Sequence, residues 1–343
     1  MTTSRPSRRA VLLGVPAALA AGCGGGGRTA ARPALPPLTA DERRSLATLK
    51  VLDTAHPLLS MTLYGAYDPM RQIALAPVRG RPWACSLFLA GGGPQGPLFG
   101  RNFDWDPNAA LLLTTVPPRG PRTISLVDVS YLGVGREAAR RAVSDEAVGR
   151  RLLQAVGIPF DGMNEHGLAV GMAAVPAGEP PRLAGRPVVG SARVQRLVLD
   201  QARTVEEAVA VFGRYNVEFG RGEPPLHYLL ADRNGASTAV EFVDGRLRTV
   251  PGAGNWHDMV NFVLATTPGE RRADDRRYRT IAERMRATGG RLDVDGAMGL
   301  LQKVGQSHTR WSAVYELRGG TVHLSLDRDF RRRRTAGLAR VPA

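Results

Sequence analysis

The sequence predicts an α+β layered domain on three observations: short apolar or alternating runs bounded by Gly and Pro, antiparallel hairpins in the second half, and amphipathic helices with cap residues between them. A chain of 343 residues that is 43% hydrophobic has enough apolar surface for a packed core. No internal repeat is present.

The elements follow in order. Ser7, Arg8 and Arg9 precede AVLLGVPAALAAGC, a basic start running into a short apolar stretch and small residues. The thirteen positions from Ala10 to Gly22 are too few for a membrane span, which takes about 20 residues. Residues 1–23 therefore read as a signal peptide, and the adjacent arginines suit twin-arginine export. LAAGC resembles a bacterial lipobox, with Ala20 where the usual box has Leu. Acylated Cys23 would anchor an extracytoplasmic lipoprotein to the outer face of the cytoplasmic membrane; plain cleavage and secretion is the alternative. Residues 24–43, rich in Gly and Pro, form a flexible tether. Thr39 with Glu42 makes a capping-box pattern that opens a helix. Residues 44–84 read as a compact amphipathic segment.

From Cys85 the chain is strand-rich, in SLFLAG, PLFGRNF, RTISLVDVS, LAVGMAAV and NFVLAT. HYLLA turns at Asp232 to Gly235 into STAVEFV, which turns at Asp244-Gly245 into RLRTV; SAVYEL and TVHLSL flank Gly319-Gly320 as a two-residue hairpin loop. Ser144 leads one helix, Thr204 with Glu207 caps a second, and Asp274 to Ala287 forms a third that stops at Gly289-Gly290. The tail RDFRRRR reads as a solvated end.

The formal charge is +15, yet Lys50 and Lys303 are the only lysines among 46 basic residues. The arginine excess follows the Ala, Gly and Pro enrichment of a GC-rich genome. No helix or aromatic-interleaved strand concentrates the charge, so a nucleic-acid partner is not predicted. There is no G-x-S-x-G, H-E-x-x-H, P-loop or paired C-x-x-C, and the six histidines have no metal-like spacing. No metal and no organic cofactor is predicted.

Two cysteines in an exported protein suggest a disulfide, but acylation or removal of Cys23 leaves Cys85 unpaired. A thiol needs a base to become a nucleophile. A histidine such as His308 stays open as that base. A second source appears if the chain is cut between Ala84 and Cys85, because the new α-amino group has a pKa of about 7.7 to 8.0 and is tethered to the thiol. Arg101 and Asp104 could then hold the amine and favour the thiolate; otherwise Cys85 is a small buried hydrophobe and the pair an ordinary ion pair.

At these residues CSLFLAG…LFGRNFDW resembles the nucleophile region of the linear-amide C–N hydrolases, the choloylglycine hydrolase-like N-terminal nucleophile (Ntn) family of bile-salt hydrolases, penicillin V acylases and the acid ceramidase group. HPLLSMTLYGAY is similar to its pro-segment, PFDGMNEHGLAVGMAAVP to its central block, and HTRWSAVYEL to its closing strand. The resemblance implies a four-layer αββα sandwich of two packed antiparallel sheets, with a pro-segment over 44–84 and a catalytic domain over 85–335. It implies Cys85 as nucleophile with Arg101 and Asp104 as partners, Asn261 lining the oxyanion hole, and Arg277 as an active-site arginine, with Arg276 one residue away. Glu165 matches a glutamate of the ceramidase-like branch that assists self-cleavage, with Asn164 as a supporting residue; alternatively the two form a turn between strands. Ala174 stands where bile-salt hydrolases carry an asparagine, which disfavours conjugated bile salts. The implied reaction is hydrolysis of the linear amide of a small N-acyl substrate through an acyl-thioester, without metal or cofactor. An acyltransferase of the same fold and a catalytically silent ligand-binding lipoprotein are the alternatives.

Overall fold

A computed structural model describes residues 36–77, 84–220 and 223–338. The signal segment with Cys23 and most of the tether lie outside the described residues. No helix among the described residues is long and apolar enough to cross a membrane.

Two sheets form the centre of the unit that begins at Leu38. Among the described residues the larger has nine strands, in spatial order Lys50–Asp53, Leu58–Tyr64, Ala110–Val116, Thr123–Asp128, Asp161–Asn164, Ala169–Ala174, Leu226–Ala231, Ser237–Val243 and Arg246–Pro251. The smaller has six, Trp256–Met259, Ala84–Ala90, Leu98–Asp104, Thr309–Glu316, Thr321–Leu326 and Arg334–Gly337. Within these sheets pairing is antiparallel except that Leu58–Tyr64 runs parallel to Ala110–Val116. The segment upstream of Cys85 thus supplies two strands of the larger sheet.

Strand periodicity puts alternate side chains on opposite faces, and the apolar residues divide accordingly. Leu87, Phe99, Phe103, Trp311 and Tyr315 join the core between the sheets. Phe88, Ala90, Leu98 and Val314 face Ile281, Met285 and Leu301 of helices Arg276–Thr288 and Val294–Val304. On the far side, helices Ser191–Gln201 and Val205–Gly213 cover the larger sheet, where Phe212 packs on Tyr228 and the Tyr228 hydroxyl donates to Ser191 O at 2.9 Å. The result is the four-layer αββα order. Close approach demands glycine at two points. A Cβ at Gly171 would lie 2.8 Å from Leu87 between the sheets, and one at Gly100 would lie 2.2 Å from the Phe88 ring.

Thr39 and Glu42 form the expected capping box. Four local readings change. Asp145, not Ser144, caps helix Glu146–Leu152, because its carboxylate accepts from Ala147 N and Val148 N. The last hairpin loop has four residues, Leu317 to Gly320; Leu317 N turns away to Pro97 O, and Gly320 at φ +73° closes onto Glu316 O. NFVLAT is not a strand: the strand is Trp256–Met259, and the apolar run after it is a turn held by side chains of the other sheet. At the last arginine of RDFRRRR the chain re-enters the smaller sheet as strand Arg334–Gly337.

Candidate active site

The strand beginning Ala84-Cys85 pairs Ala84 with Asp104, Cys85 with Phe103 and Leu87 with Arg101. Cys85 and Arg101 therefore share the face that looks across to the larger sheet, and Asn102 points to the helices, where its Nδ2 donates to Leu301 O at 2.8 Å. The thiol is fully buried.

The peptide of Cys85 is held from both sides. Its N–H donates to Asn261 Oδ1 at 2.8 Å, and its carbonyl accepts from Arg277 Nη1 at 2.7 Å. The same Arg277 nitrogen reaches Asn261 Oδ1 at 2.9 Å, and Asn261 Nδ2 donates to Ala174 O at 2.8 Å. Arg277 stands in the first turn of its helix, where the cap residue Asp275 accepts from its Nη2 at 2.9 Å. Arg276 points elsewhere, to Lys303 O at 3.3 Å. Asp104 accepts from Gln306 Nε2 at 2.8 Å and Thr309 Oγ1 at 2.5 Å, with Arg277 Nη1 3.9 Å away.

Arg101, whose charge favours the Cys85 thiolate, is anchored by Asp161 and not by Asp104. It turns into the space between the sheets, where Nε lies 2.6 Å from Asp161 Oδ2 and Nη1 donates to Met172 O at 2.7 Å. Asp161 also accepts from Trp311 Nε1 at 3.0 Å and from the Tyr315 hydroxyl. Arg101 Nη2 has no hydrogen-bond acceptor among the described residues. Sequence reasoning passed over Asp161, although an acid inside a buried strand signals a required partner.

Burial dominates the electrostatics. It pushes the Cys85 thiol up to about 11, with Arg101 and Arg277 opposing and Asp104 adding to the shift. Such a thiol is protonated at neutral pH. Burial likewise raises Asp104 against its bonds from Thr309 and Gln306, and raises Asp161 against Arg101. No histidine is hydrogen-bonded to Cys85 among the described residues, and no group of three or more His, Cys, Asp or Glu there is placed to hold a metal.

Two expected residues are not brought to this cluster. Asn164 closes a turn: its Oδ1 accepts from His166 N and Leu168 N, and its Nδ2 donates to Leu199 O and Ala202 O. Glu165 pairs with Arg122 through backbone and side chain at the protein surface. Their side chains serve that turn because the strand ends at Asn164 and the chain reverses at Gly167, φ +78°.

A cavity of about 460 Å³ is lined by Ile73, Tyr131, Ile158, Phe160 and Met172, with Arg193 and Glu223 among its polar groups. Phe160 packs edge-on against Phe103 with centroids 5.3 Å apart. Cys85, Asn261 and Arg277 are not among the residues that line it.

Residues 153–265 match the family model of acyl-coenzyme A:6-aminopenicillanic acid acyl-transferase. No curated protein sequence matches the chain. Among solved structures, a variant of conjugated bile acid hydrolase from Clostridium perfringens superposes with TM-score 0.51 at 12% identity, covering 74% of this chain and 92% of its own. The chain shares the fold of that bile acid hydrolase. Penicillin V acylase from Agrobacterium tumefaciens is 19% identical over 71% of this chain and 83% of its own, TM-score 0.49. A Caenorhabditis elegans ortholog of N-acylethanolamine-hydrolyzing acid amidase is 16% identical over 68% and 93%, TM-score 0.47. The stretch matched by the family model includes Asp161 and Asn261 and excludes Cys85.

Proposed function

We propose that the chain is an exported, self-processing cysteine amidohydrolase acting on linear amides of N-acyl substrates. The observation that carries this reading is the grip of Asn261 and Arg277 on the two ends of the Cys85 peptide, beside a sealed thiol and a buried Arg101. In self-cleavage, Cys85 Sγ attacks the Ala84 carbonyl carbon. The Ala84–Cys85 C–N bond breaks as the thiol proton passes to the Cys85 nitrogen, and water hydrolyses the Ala84 thioester to a carboxylate.

The cut supplies what the uncut chain lacks. With its thiol pushed up to about 11, uncut Cys85 is suited at pH 7 only to a slow, single attack on the carbonyl tethered beside it, not to turnover of a free substrate. The freed α-amine, with a pKa of about 7.7 to 8.0, takes the thiol proton and later gives it to the leaving amine. Asn261 Oδ1 and Arg277 hold that nitrogen and the adjoining carbonyl in place, while Asp104 braces the strand end opposite. The Asn261 amide and a backbone N–H supply oxyanion donors, each of the kind worth about 2.7 to 4 kcal/mol. Water then resolves the acyl-thioester.

Export rests on residues 1–23, and membrane attachment on acylation of Cys23. The family model's description favours a second reading, acyl transfer to an amine in place of water. Intact mass tests the first step: the mature protein is expected as two chains with the second starting at Cys85, and Cys85→Ala as one. An unbroken wild-type chain refutes self-processing. Cys85→Ser is expected to slow both cleavage and turnover in a panel of fatty-acyl and aryl-acyl amides; full activity there refutes the nucleophile. Competing amines added to the same assay separate transfer from hydrolysis, and palmitate labelling decides Cys23.

A further inference from the structure

Two buried ionisable residues of the larger sheet have no part in the machinery above. His227 and Glu241 are each 1% exposed, and His227 Nδ1 lies 2.8 Å from Glu241 Oε1. A buried histidine is most often just satisfied by its surroundings. Here, however, the pair's outward bonds all end on one stretch. His227 Nε2 meets Val260 O at 2.7 Å, while Glu241 Oε1 accepts from Leu264 N at 2.7 Å and Oε2 from Ala265 N at 2.8 Å. That stretch carries Asn261 and lies on the edge of the other sheet.

The donors and acceptors orient the pair. Nε2 faces a carbonyl and must carry hydrogen; Nδ1 faces a carboxylate that already accepts two backbone N–H groups. Burial works against the Glu241 carboxylate, but His227 and the two amides outweigh it and hold it below its usual range. The pair is thus a buried, hydrogen-bonded clamp across the two sheets. The 260–265 turn has no backbone ladder of its own. Its position relative to Cys85 depends on this clamp, on the Asn261–Ala174 bond and on Arg272, whose Nη2 donates to Leu264 O at 2.7 Å.

We infer that His227 and Glu241 are positioning residues that set Asn261 Oδ1 against the Cys85 nitrogen. The inference rests on the proposed role of Asn261, so its test has one arm that needs no activity. In the Cys85→Ala background, which stays uncut, adding Glu241→Gln is expected to speed amide exchange at Leu264, Ala265 and position 85 about tenfold or more, with exchange in strand Leu98–Asp104 unchanged. In the wild-type background, Glu241→Gln is expected to slow cleavage before Cys85 and amide turnover about 10- to 100-fold with KM within about twofold, because a misplaced positioning group loses rate before binding. His227→Gln, which can still donate to Val260 O, should retain part of the rate and serves if Glu241→Gln does not fold. Unchanged exchange at position 85 in both variants overturns the inference, as does wild-type cleavage with a loosened turn. A wild-type chain that neither cuts itself nor turns over an amide removes the proposed function alone; the exchange arm still decides the clamp.

Discussion

Two asparagine turns in this protein look alike and do different work. Asn164 ends an inner strand and Asn261 follows an edge strand, and both side chains are bonded through Oδ1 and Nδ2. Asn164 spends its bonds on its own turn and on the end of helix Ser191–Gln201. Asn261 spends them on a residue 176 positions away, on an arginine of a helix and on a strand of the opposite sheet. A buried amide that closes a local turn is structural. One that ties together three distant elements around a nucleophile candidate has another purpose.

The largest contrast is expected between the two alanine variants. Asn261→Ala should lower the rate of cleavage before Cys85 by on the order of 10³-fold, followed by intact mass over time, with a modest change in melting temperature. Asn164→Ala should reverse the pattern: it orphans buried backbone groups at a cost of about 2 to 3 kcal/mol, read by urea titration, while the folded fraction cleaves at close to the wild-type rate. Equal loss of cleavage in both would erase the distinction.

Next in size is Asp161→Asn. Removing the charge partner of fully buried Arg101 should destabilise the fold by about 3 kcal/mol or more, and denaturant unfolding measures it. A loss under about 1 kcal/mol would mean that Met172 O and the aromatic rings suffice for the guanidinium.

The smallest effect concerns the strand that feeds the Asn261 turn. Burial pushes Asp258 up to about 7, with Arg286 and Arg272 opposing. The folded state then holds a proton that the unfolded state releases between about pH 4 and 7, so this carboxyl costs stability as pH rises through that window. Asp258→Asn should gain about 1 to 2 kcal/mol at pH 8 and little at pH 4.5, checked by melting temperature across pH. A gain that does not vary with pH assigns the effect to packing.

The parts legible in the sequence were those with local causes. Turn residues at Asp232 to Gly235 and Asp244-Gly245 place a hairpin wherever they stand, and Thr39 with Glu42 caps a helix within one turn. NFVLAT failed because its composition suits a strand while its amides go to Glu241, a tertiary bond with no local trace. Asp161 was overlooked for the same reason, since its meaning is Arg101 on the other sheet. Asn164 and Glu165 were drawn toward the site by a motif whose local work is a turn. Arg277 over Arg276 was decided by helix phase, which the sequence left open by one residue.

The parallel pairing of Leu58–Tyr64 with Ala110–Val116 bears on the order of events in the life of the molecule. Seven residues from before the proposed cut are laid against seven from after it, and Leu58 and Leu59 are wholly inside. The proposed scission would follow folding, because a chain severed early would have to find this pairing as a bimolecular encounter. Such a break would be a nick in a finished object, and the upstream piece could leave only by unravelling the sheet. The same geometry makes the protein a candidate for assembly from two separately expressed pieces, residues 38–84 and 85–338. Their success or failure would show how much of the folding depends on the single covalent link at Ala84-Cys85.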